Sequence, residues 1–402
     1  MSTYFLALPS SKNPLHSFLE SVKTKMFLET NSENVITNEE EAENFLKTAH
    51  ACANESFLSL MKHLFSYKEK LLKDQKLFMN MMSIITLNIS AHKNPEERDL
   101  MVAEYLKTVH ELPENCFSVK ARMFASLFNS FSTRDPKQFE LFKEILKLTD
   151  NQKKVSIILP TIESVDEYLK NWGLFNDLIK KREIYQLILN ALYNNNKEKI
   201  AIDIFVKYLQ TFEEAQEKDL TNAQDTNFVV SNIKRFLASE SFHFEIFESI
   251  IHLKRVSHLE DKRLLEVLRL FITGNLHGYF KWLETNKDYL QNDLGVDSQK
   301  MELKIRIKCL ATFQETGKPV SFKDMAEKLH VKEDEVEDWV ILGIQNKIIE
   351  GKIDEFHKVI EITDNCSKYL EKEDVEKIDQ RIGALIGVFE GYLDNLKKKK
   401  QI

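Results

Sequence analysis

Residues Pro319 to Thr363 of this 402-residue chain read PVSFKDMAEKLHVKEDEVEDWVILGIQNKIIEGKIDEFHKVIEIT. Near the start of this segment, Ser321 is followed by apolar residues at helical spacing, and a serine at such a position caps the first amide groups of a helix. Asp324, three residues later, completes the pattern of a capping box. The apolar residues predicted to face inward are Phe322, Met325, Ala326 and Leu329. The segment therefore begins with a short amphipathic helix.

A second helix and a hairpin follow in the same segment. The helix is predicted over about 333–346, and the residues that it is expected to bury are Val336, Val340, Ile341 and Ile344. Apolar residues then alternate along two stretches, 348–353 and 359–362, which is the period of a β-hairpin. Two helices and a two-stranded wing in this order predict a winged helix. The alternative is a small α+β subdomain of no special type.

The start of the second helix is strongly acidic, because five of the six residues from Glu333 to Asp338 carry a carboxylate. A helix that reads DNA presents cationic or amide side chains to bases and phosphates, and carboxylates against a duplex would be repelled. They do suit the positive N-terminal end of their own helix. The winged helix is therefore predicted to dock a protein, not DNA.

The rest of the chain is predicted to be helical. Residues 1–272 contain one glycine, Gly173, whereas the other nine lie between Gly274 and Gly391, and β-sandwiches or α/β enzymes need many more glycine turns. Helices are predicted over 95–111, 115–132, 136–148, 161–172, 176–194 and 197–212, in a further layer from about 228 to 290, and over 300–313 with Leu303, Ile307 and Leu310 on one face. No strict period links them, so we expect an irregular solenoid of helical hairpins, a surface suited to other proteins.

The C-terminal part of the chain carries an apolar seam at alternating spacings of three and four. Its residues are Val375, Ile378, Ile382, Leu385, Phe389, Tyr392 and Leu396. About three heptads of this pattern predict either a coiled-coil contact with a partner or a helix folded back on its own winged helix. Gly383, Gly387 and Gly391 lie four residues apart on a different face, where small side chains would let another helix approach. Both faces are therefore candidate protein interfaces.

The composition excludes several function classes. A net charge of −7 argues against binding nucleic acid mainly through phosphates. The four cysteines are too far apart for a zinc motif, and no phosphate-binding, metalloprotease or hydrolase signature is present. No apolar run reaches membrane-spanning length, and the N-terminal YFLAL (Tyr4 to Leu8) is too short for a signal-peptide core. We therefore expect a cytoplasmic protein without an active site, cofactor or metal.

The run Leu270–Tyr279 and the segment 320–354 resemble two parts of the PCI family, the module shared by the proteasome lid, the signalosome and eukaryotic translation initiation factor 3. The family's LF-x-x-G-x-L-x-x-Y segment is matched by the run Leu270–Tyr279, followed by Asn286. The family's winged helix is matched by 320–354, which includes Gly351-Lys352-Ile353-Asp354. Further matching residues between Leu127 and Asp354 resemble an initiation factor 3 subunit.

This resemblance implies a mainly α fold, in which a right-handed helical-hairpin solenoid is followed by a winged helix and a C-terminal helix. The expected regions are an N-terminal helical segment (1–94), a helical array (95–299), the winged helix (300–370) and a C-terminal helix with a basic tail (371–402). It also implies a non-catalytic scaffold that contacts other subunits through Lys352, Asp354 and the C-terminal helix, and reaches the small ribosomal subunit through its complex. A signalosome or proteasome-lid scaffold, and a nucleic-acid-binding PCI protein, are the alternatives.

Overall fold

The computed structural model describes residues 14–24, 26, 39–214, 220, 222–239, 242, 244–316, 319–365 and, further on, 379, 382, 383, 385, 386 and 389. Helices dominate these residues, and the strands lie in one small sheet between 320 and 365. The chain divides into two compact units, Met1–Ala201 and Ile202–Ile402. The predicted fold class, a helical body followed by a winged helix, is confirmed, whereas the four predicted region boundaries stay predictions.

In the first unit, helices that are near one another in the sequence pack together and enclose an apolar core. The pairs in contact include α2 with α3, α5 with α7, α7 with α8, and α8 with α11. The helices are α1 (Pro14–Lys23), α2 (Glu39–Glu55), α3 (Phe57–Ser66), α4 (Lys68–Leu71), α5 (Gln75–Ala91), α6 (Pro95–Glu111), α7 (Phe117–Ser130), α8 (Lys137–Asn151), α9 (Leu159–Glu163), α10 (Val165–Asn171) and α11 (Leu178–Asn194). The unit boundary falls within α12 (Glu198–Gln210).

Local sequence explains where several of these helices begin. Asn94 caps α6, because its side chain accepts a hydrogen bond from the amide of Glu96 at 3.1 Å, and Pro95 occupies the first helical position. Asp135 does the same for the amide of Lys137 at 3.0 Å. The prediction of a single helix over 161–172 is wrong in one respect. The chain leaves the helical conformation at Ser164, so two helices, α9 and α10, are found.

In the second unit, several helices surround one central helix. The helices of this unit after α12 are α13 (Ala223–Ala238), α14 (Phe244–Ile251), α15 (Lys254–Ser257), α16 (Lys262–Thr273), α17 (Leu276–Asp288), α18 (Ser298–Leu310), α19 (Phe322–Leu329) and α20 (Val336–Gln345). The central helix is α18, which contacts α13, α16 and α17 on the helical side and α19 and α20 on the winged-helix side.

The predicted apolar face of α18 is partly wrong. Ile307 and Leu310 are buried, but Leu303 is exposed, while Lys304 and Lys308 are 4% and 1% exposed. The Lys304 ammonium donates to the carbonyls of Phe236 and Leu237, both at 3.1 Å, at the C-terminal end of α13. The Lys308 ammonium lies 2.7 Å from a Glu248 carboxylate oxygen. A helix packed on several sides buries polar residues wherever neighbouring groups can bond them.

The wing is a three-stranded antiparallel sheet in the order β1 (Val320–Ser321), β3 (Val359–Asn365), β2 (Ile349–Asp354). The predicted hairpin is therefore confirmed, and β1 adds a strand that sequence analysis did not predict. Two residues are too few for a periodic pattern, and β1 pairs with β3 across nearly 40 residues, with Val320 opposite Ile360.

Candidate interaction surfaces of the winged helix and C-terminal helix

The first helix of the winged helix, α19, has the N-terminal cap and the buried face that the sequence predicts. The Ser321 hydroxyl accepts a hydrogen bond from the amide of Asp324 at 3.1 Å, and this bond caps the helix. The four residues predicted to face inward, Phe322, Met325, Ala326 and Leu329, are all buried. The helix ends at His330, whose φ of +53° lies in the left-handed region. This helix therefore holds the wing against the core of the second unit.

The second helix of the winged helix, α20, turns a different face inward from the one that the sequence predicts. Val336 and Val340 are buried as predicted, but Ile341 is exposed and Ile344 is only partly buried. Gly343 takes the inner position instead, because a Cβ there would lie 2.8 Å from Cδ1 of Leu310 in α18. The glycine permits a close helix–helix approach, and so it sets which face of α20 is outward.

The acidic start of α20 is confirmed as a surface feature. Residues 333–335 form a 3₁₀ turn before the helix, and all three carboxylates are exposed. A Glu335 carboxylate oxygen accepts a hydrogen bond from the amide of Lys332 at 3.3 Å, which is one of the two bonds of a capping box. A lysine ammonium can only donate, so Lys332 contributes its backbone and not its side chain to this cap.

Strand β2 forms one edge of the wing, since β3 lies between β1 and β2. The predicted interface residue Lys352 is exposed on this strand, opposite Glu361 of β3. An edge strand presents backbone N–H and C=O groups that another chain can pair with. The structure thus places Lys352 on an accessible sheet edge.

The other predicted interface residue of the wing, Asp354, ends β2 and orders the hairpin turn. Its carboxylate accepts a hydrogen bond from the amide of His357 at 3.0 Å and lies 2.7 Å from Nδ1 of the same residue. These two bonds from His357, first the backbone one and then the side-chain one, hold the pKa of the Asp354 carboxyl below its ordinary value. Asp354 therefore has a structural task within the turn.

The turn also carries Phe356, which is 90% exposed and was not predicted as an interface residue. The sequence signal was an aromatic residue between Glu355 and His357, inside a run otherwise made of charged and polar side chains. Large exposed aromatic side chains are favoured anchors of protein interfaces.

Part of the predicted C-terminal seam lies among the described residues. Ile382, Leu385 and Phe389 are helical, and together with Ile386 they are between 51% and 63% exposed. A Cβ added at Gly383 would meet no atom within 4 Å. Ile382, Leu385, Ile386 and Phe389 thus form an exposed apolar stripe. The remaining predicted interface residues, Val375, Ile378, Gly387, Gly391, Tyr392 and Leu396, lie outside the described residues.

The run Leu270–Tyr279 forms the corner between α16 and α17. Gly274 ends α16 with φ +64°, and a Cβ there would lie 3.0 Å from Cγ2 of Thr312. The Asn275 side chain then caps α17 by accepting a hydrogen bond from the amide of Gly278 at 2.8 Å. Phe271, Leu276 and Tyr279 are buried. The glycine is required both for the left-handed turn and for the approach of the chain after α18.

The described residues also bear on two other kinds of site. None of the helices described is long and apolar enough to cross a membrane. No group of three or more His, Cys, Asp or Glu side chains, within the part of the chain that the structure describes, is placed to hold a metal ion.

Comparison with known proteins identifies a family for this region and relatives for most of the chain. Residues 283–364 match the PCI domain, a range that covers the end of α17, helix α18 and the winged helix except Asn365. The chain is 23% identical over 320 residues to eukaryotic translation initiation factor 3 subunit M of Dictyostelium discoideum, covering 78% of this chain and 76% of that protein. It is 24% identical to the Nematostella vectensis protein of the same name, covering 72% and 74%, and 22% identical to the human one, covering 66% and 69%.

The similarity therefore extends well beyond the PCI match. It agrees with the resemblance that the residues between Leu127 and Asp354 indicate. The chain thus contains a segment that matches the PCI domain, and it is similar over most of its length to subunit M of eukaryotic translation initiation factor 3.

Proposed function

We propose that this chain is a non-catalytic scaffold subunit of translation initiation factor 3. The observation that carries the proposal is the similarity to subunit M relatives, which covers 78% of the chain in the Dictyostelium comparison. A similarity of that extent involves the helical body as well as the PCI domain. In this proposal the chain acts in the cytoplasm, binds other PCI-domain subunits and reaches the small ribosomal subunit through them.

The edge of the wing supports docking of a neighbouring subunit. Strand β2 is an edge strand, and Lys352 is exposed along it. A strand added beside β2 would gain main-chain hydrogen bonds, while exposed side chains such as Lys352 and Phe356 would select the partner. The acidic start of α20 is a further exposed feature of the winged helix, and its negative charge favours a partner with positive charge and disfavours nucleic acid.

The exposed stripe of Ile382, Leu385, Ile386 and Phe389 supports a second contact. These four apolar side chains stand on helical residues and are all at least half exposed, which suits a surface that a partner helix can cover. The two docking modes suggested by the seam were a partner helix and the chain's own wing. The exposure of these four residues favours the partner helix.

The test is purification of the full-length chain, tagged at its N-terminus, from native extract. We expect stoichiometric recovery of other initiation factor 3 subunits together with the small ribosomal subunit. Recovery of signalosome or proteasome-lid subunits in their place would overturn the proposal and would support the alternative PCI scaffolds.

A matched pair of variants then tests the two surfaces separately. Leu385→Asp interrupts the exposed C-terminal stripe, whereas Lys352→Pro removes a backbone donor and bends the edge strand. If each surface binds a different neighbour, each variant loses a different set of subunits. Loss of no subunit by either variant would contradict the proposed docking surfaces while leaving membership of the complex intact.

A further inference from the structure

The first unit carries a surface that neither the PCI resemblance nor the proposed function uses. It is the turn between α10 and α11, here called the basic turn and defined as residues 170–182. It combines cationic side chains with two exposed apolar ones, Phe175 and Ile179. Ile179 is 79% exposed although it lies in the first turn of α11.

Buried contacts hold the basic turn in one conformation. Within the turn Trp172 is buried, and its indole N–H donates to the side-chain oxygen of Gln138 at 3.0 Å. Gly173 has φ +71°, its amide donates to the carbonyl of Lys170 at 3.0 Å, and the amide of Leu174 donates to that of Leu169 at 2.9 Å. Paired bonds of this kind are a helix-terminating motif. The exposed side chains therefore project from a preorganised turn, which lowers the entropic cost of binding.

Two lysines lie against the ring of Phe175. The Lys181 ammonium is 3.9 Å from the ring centroid and the Lys170 ammonium is 5.0 Å from it. Lys180 follows Ile179 directly and is exposed. An apolar centre is thus surrounded by positive charge in a protein whose net charge is −7.

One carboxylate, that of Asp177, lies within the basic turn. It caps α11 by accepting a hydrogen bond from the amide of Lys180 at 3.1 Å, and its second oxygen lies 3.9 Å from the Lys180 ammonium. Two neighbouring carboxylates have partners outside the turn: a Glu183 oxygen lies 2.9 Å from the Lys143 ammonium, and Asp166 accepts from the hydroxyl of Tyr185. Residues 170–182 still contain four cationic side chains against this one carboxylate, so the turn has a net positive formal charge.

We propose that the basic turn is a docking point for an acidic segment of another protein, one in which an apolar anchor residue is flanked by Asp or Glu. The anchor covers Ile179 and the edge of Phe175, and the flanking carboxylates meet Lys170, Lys180 and Lys181. The proposal does not depend on which complex the chain belongs to.

A protein segment suits this surface better than RNA does. The exposed aliphatic side chain of Ile179 gains little from a phosphate backbone but much from an apolar anchor. Exposed Glu167 lies one helical turn before Lys170, and together with Asp177 it opposes a continuous polyanion. An acidic segment can place its carboxylates selectively, which provides specificity.

Carbodiimide cross-linking of the complex purified with the tagged full-length chain tests this proposal, because the reagent joins lysine amines to carboxylates in direct contact. We expect Lys170, Lys180 and Lys181 to be joined to carboxylates of a single acidic segment in another chain. The double variant Phe175→Ser/Ile179→Ser should lower the yield of these cross-links at least about tenfold, as loss of interface anchors does.

The matched control is Leu87→Ser/Leu100→Ser, which removes two apolar side chains, 61% and 58% exposed, elsewhere in the same unit. It should leave the cross-links unchanged, and the thermal midpoints of both double variants should equal that of the parent. Cross-links confined to this chain, cross-links scattered over many sites, or a yield unaffected by the double variant would each overturn the proposal. Ultraviolet cross-linking of RNA to peptide 170–182 in the same complex would assign the turn to RNA and would likewise overturn it.

Discussion

Helix α18 and the helical residues around Leu385 show opposite relations between sequence and burial. Helix α18 reads SQKMELKIRIKCL, which contains four cations, yet it lies at the centre of the second unit and buries two of its lysines. The residues Ile382, Leu385, Ile386 and Phe389 are apolar, yet all are exposed. The difference shows that burial follows the partners a helix finds. Buried cations require bonded partners inside the chain, whereas exposed apolar residues form a surface that another molecule could cover.

The largest effect is expected from breaking the buried ion pair of α18. Lys308→Ala leaves the Glu248 carboxylate without the ammonium that lies 2.7 Å away, and should lower the free energy of unfolding by about 3 kcal/mol. Urea denaturation of the full chain measures this value. The paired variant Lys308→Met/Glu248→Leu should recover most of the loss, because no charge is then left alone. Equal losses in both variants would show that packing, not charge pairing, dominates here.

Two helical glycines sharpen the same contrast. Gly343→Val places new atoms against Leu310 and Ile349, where even a Cβ would lie 2.8 Å and 3.2 Å from side-chain carbons, and should cost about 2 kcal/mol. Gly383→Ala meets nothing within 4 Å and should leave stability unchanged or raise it by up to about 1 kcal/mol. Thermal unfolding distinguishes the two. Destabilisation by Gly383→Ala would mean that this face is packed within the chain.

The exposed stripe should affect assembly and not folding. Leu385→Asp is expected to weaken binding to the complex at least tenfold, which corresponds to about 1.4 kcal/mol, while the urea midpoint of the isolated chain stays the same. Co-purification and urea denaturation measure the two quantities. Leu385→Met keeps the apolar contact and should co-purify normally. Full recovery of the Leu385→Asp protein would exclude this stripe as an interface.

The smallest effect concerns the turn of the wing and depends on pH. Hydrogen bonds from His357 lower the pKa of the Asp354 carboxyl in the folded protein. The stabilisation that they give is therefore present above the ordinary Asp pKa of about 3.9 and is lost as pH falls through the lower folded value. The amide resonance of His357 should follow this titration between pH 6 and pH 2. A midpoint at or above the ordinary Asp value would contradict the assignment, and Asp354→Asn should abolish the transition.

The parts of the fold that sequence analysis predicted depend on local patterns. The caps at Asn94 and Ser321, the periodic face of α19 and the alternation along the hairpin are all encoded within a few residues, and each is confirmed. The acidic start of α20 was also readable directly from residue types, and its exposure is confirmed, whereas the inference that it disfavours DNA stays a prediction.

The parts that it missed depend on contacts between distant residues. The burial of Lys304 requires carbonyls of α13 about 67 residues earlier in the chain. The rotation of α20, which exposes Ile341, depends on the approach of Gly343 to Leu310. For the same reason the basic turn was not found, since the placement of two ammonium groups on the ring of Phe175 follows from how α10 and α11 meet.

The buried lysines of α18 also determine which fragments of this protein can fold on their own. Lys304 needs the end of α13, Lys308 needs Glu248 of α14, and Gly274 accommodates Thr312 just beyond α18. A fragment limited to the PCI match, 283–364, would contain both ammonium groups but neither set of partners. The smallest piece able to fold independently should therefore begin before α13, so a fragment defined by family similarity alone would be too short for binding experiments.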